Sequence, residues 1–421
     1  MRHRRAFVQS LAGLSLAGLA GCASEGRAGA GHVVVVGGGF GGATAAKYLR
    51  LWSRGEVRVT LVERKHEFVS CPLSNLVIAG ARTMADLSLG YGQLQSRWGV
   101  RVLTDEVVGI DPARRSLALA GNGRLGYDRL VLAPGVDFLP ELVPGLAGQE
   151  ERIPHAWKAG PQTVLLARQL QAMPDGGVYA LHIPRSPYRC PPGPYERACL
   201  VAHYLKAAKP RAKLLVLDAN EEIQSKKALF SKVFAETYPG ILEYRPNSEL
   251  REVDAASRTA MLDFEQIRAD VLNVIPPQRA GKLVDRAGAP LINGRWVEID
   301  WLTMEARGLP GVHVLGDAVF PAAGMPKSGH MANQHAKLAA AAILNALTGK
   351  APNPEPVLVN TCYSFVAPDQ AMHIASVHRY DGQMKTMQPV KGAGGLSAAP
   401  SEAEGRIAYD WARNIWADML A

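Results

Sequence analysis

Short apolar runs, most of them closed by a glycine or an acid, set the rhythm of this chain. "HVVVV", His32–Val36, leads into Gly37, Gly39 and Gly42, and an alanine-rich stretch of helical spacing follows from Ala43 to Leu51. "VRVTLVER" predicts a second strand ending at Glu63, and "YDRLVLAPG" (Tyr127–Gly135) and "GVHVLGDAV" (Gly311–Val319) predict two more. A second set begins with "GGVYALHIP" from Gly176 and continues with "KLLVLDAN", Lys213–Asn220. Met325–Leu347 reads as a loop entering a long helix. Such short, wholly apolar strands alternating with helices predict parallel sheets covered on both faces. The fold class expected is α/β, with two Rossmann-like dinucleotide-binding domains and a C-terminal α+β interface domain over 346–421.

The two sets differ in their first turn. Gly37, Gly39 and Gly42 have G-x-G-x-x-G spacing, which gives a tight turn, a bare backbone for a pyrophosphate and close helix–strand packing. Glu63, 21 residues after Gly42, is placed to accept hydrogen bonds from a ribose. In the second set the corresponding loop is "RSPYRCPPGPYERACLVAHYL", with no such glycines. Pro191, Pro192 and Pro194 remove amide donors where nicotinamide-nucleotide phosphates need them. This second domain reads as a degenerate NAD-like one, so electrons are expected from something other than NAD(P)H.

Composition adds a destination. The 421 residues open on Arg2, Arg4 and Arg5 and a small-residue apolar run to Ala20, an export leader of twin-arginine type. Cleavage after Ala30 is favoured over lipidation at Cys22, which would be the only reason for membrane attachment. Either way the expected location is periplasmic, where disulfides persist. The formal charge of +9 falls to +6 once the leader's four arginines and one glutamate are set aside. Scattered basic residues without aromatic interleaving do not argue for nucleic acid.

The five cysteines are Cys22, Cys71, Cys190, Cys199 and Cys362. Sequence leaves the pairing of the last four open. Cys199 reads as a buried helix residue. Cys190 stands in a Pro-rich turn just before a helix starting near Pro194, a place where a thiolate is favoured. "PNPEPVLVNT" reads as a linker delivering Cys362 from a separate region. Glu196 lies in the first helical turn and either serves the helix dipole or moves a proton for a substrate near Cys190. His330 and His335 lack further ligands at metal spacing, and no metal site is expected. No C-x-x-C-H motif is present, so no c-type haem is expected on this chain.

The glycine loop, "YDRLVLAPG" and "GVHVLGDAV", in that order, resemble the flavoprotein family that includes disulfide reductases and sulfide:quinone oxidoreductases. "VSCPLSNLVIAG" around Cys71, "PYRCPPGPYERA" around Cys190 and "NTCYSFV" around Cys362 narrow the resemblance to the flavoprotein subunit of flavocytochrome c sulfide dehydrogenase. The resemblance implies FAD held by Gly37, Gly39, Gly42, Glu63, Ala133, Gly316 and Asp317, with Lys327 adding a positive charge at the flavin's pyrimidine edge. It implies a covalent bond from Cys71 to the flavin and a redox disulfide between Cys190 and Cys362. It divides the chain into an FAD-binding domain in two parts, 31–160 and 284–345, around the NAD-like domain 161–283. The expected activity is oxidation of hydrosulfide at the disulfide, with Cys190, Cys362 and Glu196 as catalytic residues. Electrons then pass singly to a separate c-type cytochrome subunit, whose interface Trp411 and Trp416 help form or else leave for a core. A sulfide:quinone oxidoreductase and a non-catalytic flavoprotein assembly partner are the rival readings.

Overall fold

A computed structural model describes residues 31–421; the leader and Cys22 lie outside the described residues. The first strands are β1 (His32–Val36), β2 (Arg58–Glu63), β3 (Arg101–Thr104) and β4 (Arg129–Leu132), with helix α1 (Phe40–Trp52) after β1. Next come β5 (Val178–Ile183), α2 (Gly193–Ala208), β6 (Lys213–Asp218), α3 (Lys227–Glu236), β7 (Leu242–Arg245) and β8 (Val271–Val274). β9 (Val312–Val314) and α4 (Gly329–Leu347) follow, then the hairpin strands β10 (Val357–Ala367), β11 (Gln370–Asp381) and β12 (Thr386–Leu396), and last α5 (Glu402–Leu420).

Two parallel sheets result, in the order β9-β4-β1-β2-β3 and β8-β5-β6-β7. Each places its own first strand centrally, its second beside it and a returning strand on the other flank. The fold is α/β, and the two sheets repeat one topology. Their central strands are apolar throughout because both faces are covered: Val33 to Val35 and Leu61 are fully buried in one, Tyr179 to Leu181 and Leu214 in the other. β9 returns to the first sheet beside β4 in parallel register. The segment between β4 and β9 therefore interrupts the first sheet and builds the second.

β10, β11 and β12 form an antiparallel sheet that α5 covers. Cys362 lies in the middle of β10, opposite Ile374. The linker expected before it is confined to the residues preceding Val357, because Val357, Leu358 and Val359 are strand formers that find partners on β11. α5 ties this region to the first sheet. Tyr48 Oη–H donates to Asp418 at 2.6 Å, Asn333 Nδ2–H donates to Asp418 at 2.7 Å, and Lys337 pairs with Asp418 at 2.9 Å.

Candidate active site

The first nucleotide turn is built by exclusion. Gly37 has φ +101°, and a Cβ there would stand 2.4 Å from Ala133 O. A Cβ on Gly42 would stand 1.7 Å from Gly37 O, so α1 can approach β1 only with glycine at that position. Gly39 has open space around it and directly precedes α1, whose N-terminal amides face outward. Glu63 ends β2 and accepts from Gly38 N–H at 2.6 Å and Lys65 N–H at 3.1 Å.

These groups line a cavity of about 550 Å³. Its wall also carries Ala133, Gly316 and Asp317, the start of α4 at Ser328–His330, and Cys71, Cys190, Glu196 and Cys362. Of the residues assigned from sequence to the cofactor or to catalysis, Gly42 and Lys327 do not line it. Gly42 acts beneath the loop. Lys327, expected to add a positive charge at the flavin edge, has its ammonium held beside Asp317. Its Nζ donates to Asp317 O at 2.9 Å and sits 3.7 Å over the Trp296 ring, with Val319 O as a further acceptor. Two carbonyls and an aromatic face hold the ammonium away from the cavity, and burial lowers its pKa to about 7. What Lys327 gives the site is its carbonyl, which accepts from Cys190 N–H at 2.8 Å.

The second nucleotide turn is a different object. Residues 184–192 stand where 37–39 stand in the first sheet. Within this loop Cys190 adopts φ +58°, and its Sγ would lie 2.9 Å from a Cβ on Gly193. β6 ends in Asp218, topologically the partner of Glu63, yet this acid is fully buried. Asp218 Oδ2 accepts from Tyr195 Oη–H at 2.7 Å and Tyr244 Oη–H at 2.9 Å, and Oδ1 accepts from Asn220 Nδ2–H at 2.7 Å. The carboxylate that would read a ribose is occupied by the protein's own hydroxyls.

Among the described residues the four cysteines are unbonded thiols. Cys190 and Cys362 line the same cavity, and Cys362 is near enough to bear on the Cys190 thiol. The expectation of a stabilised thiolate at Cys190 is reversed. Burial, then the neighbouring Cys362, then Glu196 push this thiol well above the ordinary range, and they outweigh Arg189 and Lys226. Cys362 receives Asn360 Nδ2–H at 3.3 Å. Cys71 lies on the same cavity, where Ala159 N–H points at its sulfur from 3.5 Å. Cys199 is fully buried in α2.

Glu196 belongs to the first turn of α2, but its carboxylate is not left to solvent. Oε1 accepts from Phe365 N–H at 2.9 Å and Oε2 from Asn75 Nδ2–H at 2.9 Å. Burial nonetheless raises its pKa above the ordinary carboxyl value, against those two hydrogen bonds and the nearby Lys226 and Arg197. Trp411 lines the cavity between His330 and Tyr363, each with ring centroids 6.2 Å away. Trp416 donates to Ser70 Oγ at 3.1 Å and packs against the first core. Both tryptophans are therefore engaged inward.

A flavin dinucleotide fits this donor set. Asp317 Oδ1 is shielded from solvent and has no partner among the described residues, an acceptor that a cofactor hydroxyl would satisfy. The N-termini of α1 and α4 both open on the cavity, and each favours negative charge.

Comparison with known proteins gives the family. Residues 31–162 match the pyridine nucleotide-disulphide oxidoreductase family. Residues 163–276 match the central region of the sulfide dehydrogenase (flavocytochrome c) flavoprotein chain, and residues 354–420 its flavin-binding region. The sulfide dehydrogenase (flavocytochrome c) flavoprotein chain of Chlorobaculum thiosulfatiphilum is 63% identical over 46 residues, 11% of this chain and 94% of that sequence. The sulfide-quinone reductase of Aquifex aeolicus (strain VF5) is 32% identical over 120 residues, 28% of this chain and 27% of its own length. The solved sulfide:quinone oxidoreductase of Aquifex aeolicus superposes with a TM-score of 0.75 at 18% identity, covering 92% of this chain and 91% of that one. The chain belongs to the family of the flavocytochrome c sulfide dehydrogenase flavoprotein chain and is an FAD-dependent oxidoreductase.

Proposed function

We propose that this protein oxidises hydrosulfide at a redox disulfide between Cys190 and Cys362, with FAD bonded through Cys71, and passes the electrons singly to a c-type cytochrome subunit outside the cytoplasm. One observation carries the reading. Cys190 and Cys362, from distant segments, meet on the wall of the cavity that also holds Cys71, Asp317 and the nucleotide turn.

FAD, once bound, supplies an acceptor that takes an electron pair and returns it one electron at a time. The loop Gly37–Gly42 and the start of α1 would hold its pyrophosphate, Glu63 its ribose, and Asp317 a hydroxyl on the flavin side. Hydrosulfide bonds to one cysteine sulfur as the disulfide bond breaks, which leaves a persulfide and a thiolate. The sulfide sulfur is oxidised and the disulfide reduced by the same electron pair. A second sulfide or another acceptor removes the sulfane sulfur. Glu196, with its raised pKa, is suited to hold and return a proton at this pair. NAD(P)H has no role in this reading, because residues 184–192 supply no glycine turn and Asp218 is occupied.

Anaerobic stopped-flow reduction by sulfide tests the mechanism. Cys190→Ser and Cys362→Ser should abolish bleaching of the flavin band by sulfide while dithionite still reduces the flavin. Full sulfide-driven bleaching in either variant overturns the disulfide, and none in the parent protein points to an assembly partner instead. Acid precipitation tests the flavin bond: the flavin should travel with the Cys71 peptide, and flavin found wholly in the supernatant removes that step.

A further inference from the structure

The sulfur site holds a buried cation that the mechanism above leaves without a role. Lys226 precedes α3 in the left-handed conformation, φ +53°, and is 5% exposed. Its Nζ donates to Ser364 Oγ at 2.8 Å. Ser364 is fully buried on β10, two residues beyond Cys362, and Asn360 lies two residues before it. The period of a strand puts all three side chains on one face. Asn360 is fixed in orientation, because its Oδ1 accepts from Ser328 Oγ–H at 2.6 Å, the hydroxyl that also caps α4. Its amide N–H is thereby left for Cys362 Sγ at 3.3 Å.

Among the described residues Cys190 has no side-chain donor of this kind. Its hydrogen bonds run through the backbone, from its own N–H to Lys327 O and from Gly193 N–H to its carbonyl. The titratable groups that face Lys226 are Cys362 first, then Glu196 and Cys190, then Glu404 from α5. The pair is therefore asymmetric: Cys362 has a side-chain donor, whereas at Cys190 burial and Glu196 outweigh the cations Arg189 and Lys226.

On the reading that sulfide opens this disulfide, we infer that Lys226 is the positioning cation of the sulfur site and polarises the Cys190–Cys362 bond toward Cys362. Hydrosulfide bonds to Cys190 Sγ while the Cys190–Cys362 bond breaks, and the bonding pair leaves on Cys362. The hydrosulfide proton stays on the new Cys190 persulfide. The single negative charge moves to the Cys362 thiolate, which faces Lys226 through Ser364. The thiol that better bears a charge is the better leaving group. Burial lowers the Lys226 ammonium to about 8, against the attraction of Cys362, Glu196, Cys190 and Glu404. In the disulfide neither sulfur carries charge, so the ammonium keeps only Glu196 and Glu404 as attracting groups and loses its charge as pH rises toward 8; sulfide-driven flavin reduction gains a falling limb there.

The test uses the flavin-loaded protein with its cysteine pair reduced by a phosphine, alkylated with iodoacetamide over a pH series and read by mass spectrometry of the two cysteine peptides. Cys362 should alkylate faster than Cys190 in the parent. In Lys226→Met the Cys362 rate should fall about tenfold at neutral pH, the effect of removing an opposite charge worth one pKa unit, and in Ser364→Ala it should fall less. Lys226→Arg, whose charge persists to high pH, should restore the rate and remove the falling limb. After one equivalent of sulfide and trapping, the added sulfur should be found on the Cys190 peptide. Added sulfur on Cys362 overturns the inference. So does an unchanged Cys362 alkylation rate in both Lys226→Met and Ser364→Ala while dithionite still reduces the flavin. If Lys226→Met fails to fold, Ser364→Ala and Lys226→Arg decide alone. The alkylation rates require no turnover, so their failure is distinct from failure of the sulfide reading, which Cys190→Ser and Cys362→Ser report.

Discussion

Glu196→Gln separates a proton carrier from a helix-starting residue. Both carboxylate oxygens accept from fixed donors, Phe365 N–H and Asn75 Nδ2–H. Asn75 cannot turn its amide over, because its Oδ1 accepts from Arg197 Nε–H at 3.0 Å. Glutamine offers one acceptor oxygen, so one of the two donors must meet an amide NH₂ instead. An unsatisfied buried donor costs about 1–3 kcal/mol, a loss that urea unfolding of the flavin-loaded protein should register. The same change removes one of the groups that hold the Cys190 thiol up, so Cys190 in the reduced protein should alkylate faster, by about tenfold for one unit of relieved pKa. Sulfide-driven flavin reduction should move the other way and fall by about 10²- to 10⁴-fold, the usual worth of a positioned acid–base group. The diagnostic result is this opposition, a more reactive cysteine in a slower enzyme. Flavin reduction within about threefold of the parent, alongside faster alkylation, refutes proton transfer by Glu196. Unchanged alkylation refutes the electrostatic contact itself.

Three further outcomes follow from the geometry. Gly42→Ala must displace α1 or the Gly37 turn, since its Cβ would stand 1.7 Å from Gly37 O; the protein should purify with little flavin, and normal flavin content counts against the assigned turn. Tyr195→Phe takes one donor from Asp218 and should lower stability by about 1–3 kcal/mol without creating NADH-dependent flavin reduction, whereas rapid bleaching by NADH in the parent would show the second nucleotide site to be open. His155→Phe tests acid behaviour: burial, with Arg197, Arg189 and Lys158 nearby, lowers this histidine to about 3. Between its ordinary pKa and 3 the unfolded chain binds a proton that the native one does not, so stability falls as pH drops through that window. Phenylalanine preserves the stack on Phe138 at 4.0 Å and should gain on the parent by about 1.4 kcal/mol per pH unit there, a trend that a pH-independent difference in urea unfolding would rule out.

Much of the fold was legible because its strands are short, apolar and glycine-bounded, and the glycine turn with Glu63 is a local pattern. Cys190 and Cys362 were legible as residues; their meeting came from the family likeness. Other elements of the site were hidden for definite reasons. Asn360 and Ser364 flank Cys362 at strand period, a signal visible only once 357–367 is read as a strand and not a linker. Lys226 approaches from a distant loop through a left-handed backbone, and neither spacing nor composition marks it. The surroundings of Lys327 were hidden as well, because two carbonyls and Trp296 draw it inward and no local pattern marks them.

The repeated sheet explains how a nucleotide position came to hold a cysteine loop. Glu63 and Asp218 end equivalent strands, and the frameworks around them agree in strand order. What differs is whether the acid has free capacity and how much chain fills the turn above it. In the first sheet, three residues and bare glycine leave room for a dinucleotide. In the second, Tyr195 and Tyr244 saturate Asp218, and the longer loop has chain to spare. That extra length lets Cys190 reach Lys327, on the segment leading into α4, and bond to its carbonyl, so a residue of the second sheet's loop reaches the first sheet's cavity. Under the proposed function, hydrosulfide would carry no ribose or phosphate to be read, and filling the second site would remove only recognition that such a substrate does not use. The stiff Pro191–Pro192 segment, poor in donors for a nucleotide, is well suited to fix a sulfur atom.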